Sequence, residues 1–121
     1  MFETQSYRIY LDSNVLHLQF FDLSDIDLDT ALTIEKIIKK NSNSNKILKL
    51  IDARGSFNIL PEAEKHFMNQ RNKSRVKAQA ILISSHTKQQ TMDFFLEMNS
   101  KKLSTKLFVD YDAAINWLKC I

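Results

Sequence analysis

AQAILI, residues 78–83, is six residues of nearly unbroken apolar sequence with a single polar interruption at Gln79. A run this short, rich in isoleucine and leucine and lacking polar alternation, is what a β-strand covered on both faces requires. Such a strand sits inside a sheet with helices packed against it, so the segments on either side should supply helices and parallel neighbours. Toward the C-terminus, residues 87–101 carry helical apolar spacing, Lys106–Val109 reads as a short strand, and Tyr111–Cys120 as a final helix burying Ala114, Trp117 and Leu118. Toward the N-terminus, a helix is expected from Pro61, whose fixed φ suits a first helical turn, with Ala63, Phe67 and Met68 facing the core.

Before that helix, Lys46–Ile51 reads as a strand and residues 52–60 as a loop. Residues 27–40 change to a helical period, with Leu28, Ala31, Leu32, Ile34, Ile37 and Ile38 forming one broad apolar stripe and Asn41–Asn45 ending it as a polar loop. At the start of the chain Tyr7, Ile9 and Leu11 alternate with polar neighbours, Asp12, Ser13 and Asn14 make a turn, and Val15–Phe21 resumes the extended pattern, which predicts a hairpin. The expected order is β-β-α-β-α-β-α-β-α. That order predicts an α/β fold: a mixed, mostly parallel five-stranded sheet with four helices, built as one domain over residues 1–121.

Composition narrows function. The chain has 121 residues, 17 Lys and Arg against 14 Asp and Glu, one glycine and one cysteine. With Gly55 alone, neither the dinucleotide fingerprint nor the Walker A loop can be written, because both need several glycines to bring backbone N–H groups onto phosphate. Cys120 permits no intrachain disulfide, no window approaches 18 uninterrupted apolar residues, and the first residues lack a secretory pattern, so a cytoplasmic protein without a membrane span is expected. The densest basic run, Arg71, Lys73, Arg75 and Lys77, contains no aromatic residue to stack a base and reads as a solvated connection, so no nucleic-acid partner is expected.

The order of elements, together with LIDARG at 50–55, AILISS at 80–85 and LFVDYDAAINWL at 107–118, resembles the STAS-like superfamily. The closing features Phe108, Asp110, Asp112, Ala113, Ala114, Trp117 and Leu118 are similar to those of small stand-alone bacterial STAS/CRAL-TRIO-like proteins. The resemblance covers nearly the whole chain and implies an anti-sigma-factor-antagonist-like fold with a protein-interaction or regulatory role. Its CRAL-TRIO side implies, as an alternative, a carrier or sensor of an apolar or amphipathic small molecule. In the anti-sigma-factor antagonists a serine after the third strand is phosphorylated; here the nearest is Ser56, without the usual Asp-Ser-Ser-Gly context.

Ligands in open α/β sheets settle at the carboxyl ends of strands, which places Asp52, Arg54, Ser56 and His86 on one edge as a candidate ligand or regulatory loop, with Ser84, Ser85 and Thr87 beside them. Ser85 or Thr87 can also simply cap the following helix. Ser56, His86 and Asp52 could be assembled into a hydrolytic triad, but the loop lacks G-x-S-x-G, so catalysis is the third-ranked reading and no catalytic residue is assigned. Asp25, Asp27 and Asp29 alternate as a calcium loop begins, yet Thr30 and Lys36 stand where that loop needs Gly and Glu, so helix capping is expected. His17, His66 and His86 lack paired spacing, and neither a metal nor a cofactor is expected; Cys120 is read as a buried edge residue.

The third helix is the more informative element. Met92, Phe94, Phe95, Leu96 and Met98 put five large apolar residues in seven positions, more than one narrow stripe. Met92, Phe94, Phe95 and Met98 are therefore candidates for a core face, a subunit interface or an apolar pocket. The leading expectation is a non-enzymatic interaction module that binds a protein partner or itself through the loop at 52–57 and this helix.

Overall fold

The computed structural model describes residues 1–42, 46–68, 75–100 and 103–121. Its elements run β1 (Phe2–Glu3), β2 (Tyr7–Asp12), β3 (Val15–Phe20), β4 (Asp25–Ile26), α1 (Leu28–Ser42), β5 (Ile47–Asp52), β6 (Asn58–Ile59), α2 (Pro61–Phe67), β7 (Val76–Leu82), α3 (Gln89–Ser100), β8 (Thr105–Phe108) and α4 (Tyr111–Lys119). The main sheet has six strands in the order β1-β2-β3-β5-β7-β8, one more than the five expected, and β4 pairs with β6 in a separate two-stranded ribbon. β2 and β3 are antiparallel, whereas β3, β5, β7 and β8 are parallel. The extra strand, β1, is two residues long and exposed, too short for any periodicity to announce it.

Local chemistry explains the joints. Ser13 and Asn14 both hold positive φ, 54° and 64°, between the paired Asp12 and Val15. Two left-handed residues match the right-handed twist of the flanking strands, so this turn fixes the hairpin register. Asp27 Oδ1 accepts the Thr30 amide at 2.9 Å and caps α1, and that bond holds the Asp27 carboxyl below its ordinary range. Asp25 instead accepts from Asn58 Nδ2 at 2.9 Å, bracing the β4–β6 ribbon. Helix α1 runs to Ser42, past the expected end at Lys40. Of the polar loop expected there, Asn41 and Ser42 are helical, and 43–45 lie outside the described residues.

The parallel strands advance one position at a time across the sheet, and crossovers of one hand moving in one direction deliver their helices to one face. Helices α1, α2 and α3 accordingly share a face and one core, in which Leu16, Leu18, Phe20, Ile51 and Ile81 of the strands meet Ile34, Ile38, Phe94 and Phe95. The opposite face is covered by α4, which packs mainly over β5, β7 and β8. Ala78, Ala80 and Ala114 are fully buried there beside Leu50, Leu82 and Leu118, and their small side chains bring helix and sheet close. A register shift opposite Ile47 and Leu48 lets Val76 join the first core while Ala78 faces the second.

Three details depart from the sequence reading. Leu28 and Leu32, assigned to the apolar stripe of α1, are 37% and 38% exposed, so that stripe is narrower than its apolar count. Cys120, read as buried, is exposed at the end of α4. In the basic run, Arg71 and Lys73 lie outside the described residues, and the exposed Lys77 belongs to β7.

Candidate functional site

Because β3, β5, β7 and β8 are parallel, their carboxyl ends share one edge, and the loops that leave them are bonded to one another. After β5, the Ala53 amide donates to the Leu82 carbonyl at 2.8 Å; after β7, the Ile83 amide donates to the Phe108 carbonyl at 2.8 Å. Thr87 Oγ1 donates to the Ala53 carbonyl at 2.6 Å, and Ser84 Oγ donates to the Arg54 carbonyl at 2.6 Å. On the other side, Asp22 Oδ1 accepts the Ser56 amide at 2.6 Å, and the Leu23 amide donates to the Ser56 carbonyl at 2.8 Å. Gly55 leaves room for this contact: a Cβ there would stand 2.6 Å from Asp22 Oδ1 and would push the carboxylate off the Ser56 amide. Three loops are thus tied into one platform, with Lys88 Nζ bonded to Asn58 Oδ1 at its rim.

The platform displays Leu23, 91% exposed at φ 64°. A leucine in the left-handed region costs on the order of 1 kcal/mol, which the surrounding bonds must hold in place. Arg54 is also exposed, its guanidinium gripping Asp52 through Nε–Oδ1 at 3.0 Å and Nη2–Oδ2 at 2.8 Å. The Asp52 carboxylate, by that bond first and by its charge, holds Arg54 above even its ordinary value. An open groove of about 510 Å³ runs from the rim between β6–α2 and the start of α3, with Glu64, Asp93 and Glu97 against Lys88 along it.

The candidate loop residues Asp52, Arg54, Ser56 and His86 do reach one edge, but not as a catalytic set. Among the described residues no hydrogen bond joins the side chains of Ser56, His86 and Asp52: Asp52 is occupied by Arg54, and His86 is exposed and engages through its backbone amide, which donates to Ser84 Oγ at 3.0 Å. Thr87, expected to cap the following helix, spends its hydroxyl on Ala53 and on the Ser84 amide at 2.9 Å. The tie between strands outranks the cap because the Ala53 carbonyl is buried beside the core and needs a donor.

The third helix is corrected more sharply. Phe94, Phe95 and Met98 are 5%, 2% and 4% exposed and belong to the core, Phe94 and Phe95 meeting edge to face at 5.1 Å; Met92 is half-buried. Among the described residues of this helix Leu96, 51% exposed, is the large apolar side chain left facing outward, so of the three readings open for it the core face is the one its burial fits. The cavity that Met98 lines with α1, α2 and the sheet has a volume of about 30 Å³. That is room for two or three waters, at about 10–15 Å³ each, and not for an apolar ligand.

Sequence reasoning missed Asp22 and Leu23, whose roles arise from a contact between loops far apart in the chain. It also missed Lys49, 6% exposed, whose burial against that small cavity pulls its amine down to about 8. The signal was available: in ILKLID, Lys49 shares its period-2 face with Ile47 and Ile51. Among the described residues no three His, Cys, Asp or Glu side chains converge as metal ligands, and no helix is long and apolar enough to cross a membrane.

A family model described as "Domain of unknown function (DUF7793)" matches residues 9–121. Among solved structures, the chain is similar to the crystal structure of an uncharacterized protein from the DUF3478 family, with a SpoIIAA-like fold, from Shewanella loihica PV-4. The two share 15% sequence identity, with a TM-score of 0.69 and 98% of each chain covered, a likeness that shows the fold. The architecture is therefore SpoIIAA-like, the fold that the sequence resemblance implied. Comparison with curated proteins gave no match.

Proposed function

The chain belongs to the DUF7793 family, and from that premise we propose that it is a cytoplasmic, non-catalytic recognition module that binds a protein partner through the three-loop platform at the carboxyl edge of its sheet. The observation that carries this reading is the exposed Leu23, held at positive φ by loops already bonded to each other. A preformed surface binds without a large ordering cost, and an apolar side chain held exposed at a cost in backbone strain is available to a partner. The adjoining groove, bordered by Glu64 and Asp93, suits a partner segment carrying basic residues.

A photo-crosslinking amino acid placed in vivo at position 23, with position 14 at the opposite end of the sheet as the control, tests this. Position 23 should give one product of defined mass, suppressed by excess wild-type protein, and position 14 none. A product of twice 14.1 kDa would identify the partner as a second copy. Equal labelling at both positions, or none at either, would overturn the reading.

A further inference from the structure

On the α4 face, β2 and β3 present Arg8, Tyr10, His17 and Gln19, a polar set where the neighbouring strands present alanine and leucine. With Asp52, Arg54 and Tyr111 these side chains border a cavity of about 100 Å³. His17 is 3% exposed, its Nδ1 2.9 Å from the Val15 carbonyl and its Nε2 2.8 Å from the Tyr111 hydroxyl. A carbonyl only accepts, so Nδ1 carries a proton, and in the neutral ring Nε2 then accepts from Tyr111. Burial raises the Tyr111 phenol above its ordinary value and keeps that proton in place. The Tyr10 ring stacks on His17 at 4.7 Å and 15°, and the Arg8 guanidinium carbon lies 5.4 Å from the Tyr10 centroid.

The charges around this cavity do not balance. Arg54 is matched by Asp52 in a two-bond pair. Arg8 has no such partner: its Nε is buried and makes no hydrogen bond among the described residues. A buried donor left unmade is costly, and a guanidinium fork is met best by two oxygens of one planar or tetrahedral anion. Cavity size sets the rest, since this volume holds several waters or one small headgroup, with any larger body left at the mouth.

We propose that the cavity is a binding site for the oxyanion headgroup, carboxylate or phosphate, of a small molecule, with Arg8 as its anchor and the Tyr10–His17–Tyr111 assembly as its wall. The site shares Asp52 and Arg54 with the border of the loop platform, but its anchor and wall lie on β2, β3 and α4, and it stands whether or not that platform binds a protein.

Titration of nitrogen-15-labelled protein at constant ionic strength, followed at the Arg8 Nε–H resonance and, so that Arg8 variants are read on the same scale, at the backbone amides of residues 8, 10 and 17, tests it with four probes: inorganic phosphate, phenyl phosphate, benzoate and chloride. The expected result is a saturable shift with at least one oxyanion and none with chloride. Saturation by benzoate assigns the headgroup to carboxylates. Saturation by phenyl phosphate but not inorganic phosphate assigns it to phosphate esters, and saturation by both phosphates to phosphate itself. Arg8→Gln should weaken binding at least about tenfold, the loss expected for a charged hydrogen-bonding partner. Arg8→Lys, which keeps the charge and loses the fork, covers the case in which the glutamine variant does not fold, and should also bind more weakly. Shifts that never saturate or that chloride reproduces, or unchanged affinity in the Arg8→Lys protein, would overturn the proposal.

Discussion

Replacing Lys49 by methionine should stabilise the protein by about 3 kcal/mol at pH 7, and the gain should vanish as pH approaches 10. The amine sits on β5 among Ala31, Ile34, Ile38, Val76 and Leu103, and it has no ion-pair partner among the described residues. Glu35 and Arg75 border the same cavity, but the Glu35 carboxylate lies 2.6 Å from His66 Nε2. Burial disfavours the charged form and takes the amine from 10.5 to about 8. Between those two values the unfolded chain binds a proton that the folded chain does not, so wild-type stability rises with pH across that window; below about 8 the penalty is fully present. Methionine keeps the length and removes the charge. Urea unfolding of both proteins at pH 6.5, 8 and 9.5 measures the gap: it should be widest at the lowest pH and shrink upward. A constant gap, or a less stable variant at pH 6.5, would contradict the account.

Phe95→Ala should cost about 3–5 kcal/mol, the range for truncating a buried aromatic side chain, whereas Leu96→Ala on the same helix should stay within about 0.5 kcal/mol. Phe95 is 2% exposed and edge to face with Phe94, which in turn meets Phe67 at 6.3 Å. Removing its ring opens a void between α3 and the sheet. Urea unfolding together with sedimentation velocity separates core from interface: the core assignment predicts a large loss of stability with no change in association state. A Phe95→Ala protein of native stability that dissociates from an oligomer would restore the interface reading.

The contrast between Phe95 and Leu96 shows what was legible and what was not. Counting apolar residues on α3 suggested a surplus, but positions 94, 95 and 98 subtend one side of a 3.6-residue turn, so angle and not number decided burial. The interior strand at 78–83, the hairpin turn and the parallel crossovers were readable because each is written in local sequence: an apolar run, two turn residues, a change of period. The edge bearing Asp52, Arg54, Ser56 and His86 was readable for a topological reason, since parallel strands must end together. Which way those side chains point was not, because Asp22, Gly55 and Ser56 meet only once the folded loops are in contact. The polar alternation of Arg8 with Tyr10 and His17 with Gln19 was a usable sign that α4 does not cover that part of the sheet.

The claim underlying the recognition reading is that the three loops are ordered before any partner arrives. Amide hydrogen exchange of the isolated protein measures this at the donors that tie them, Leu23, Ala53, Asn58 and Ile83. Exchange as slow there as at the sheet amides of β5 and β7 is the predicted result. Exchange at the rate of an open loop at Leu23 and Asn58, with the sheet still protected, would contradict a preformed surface.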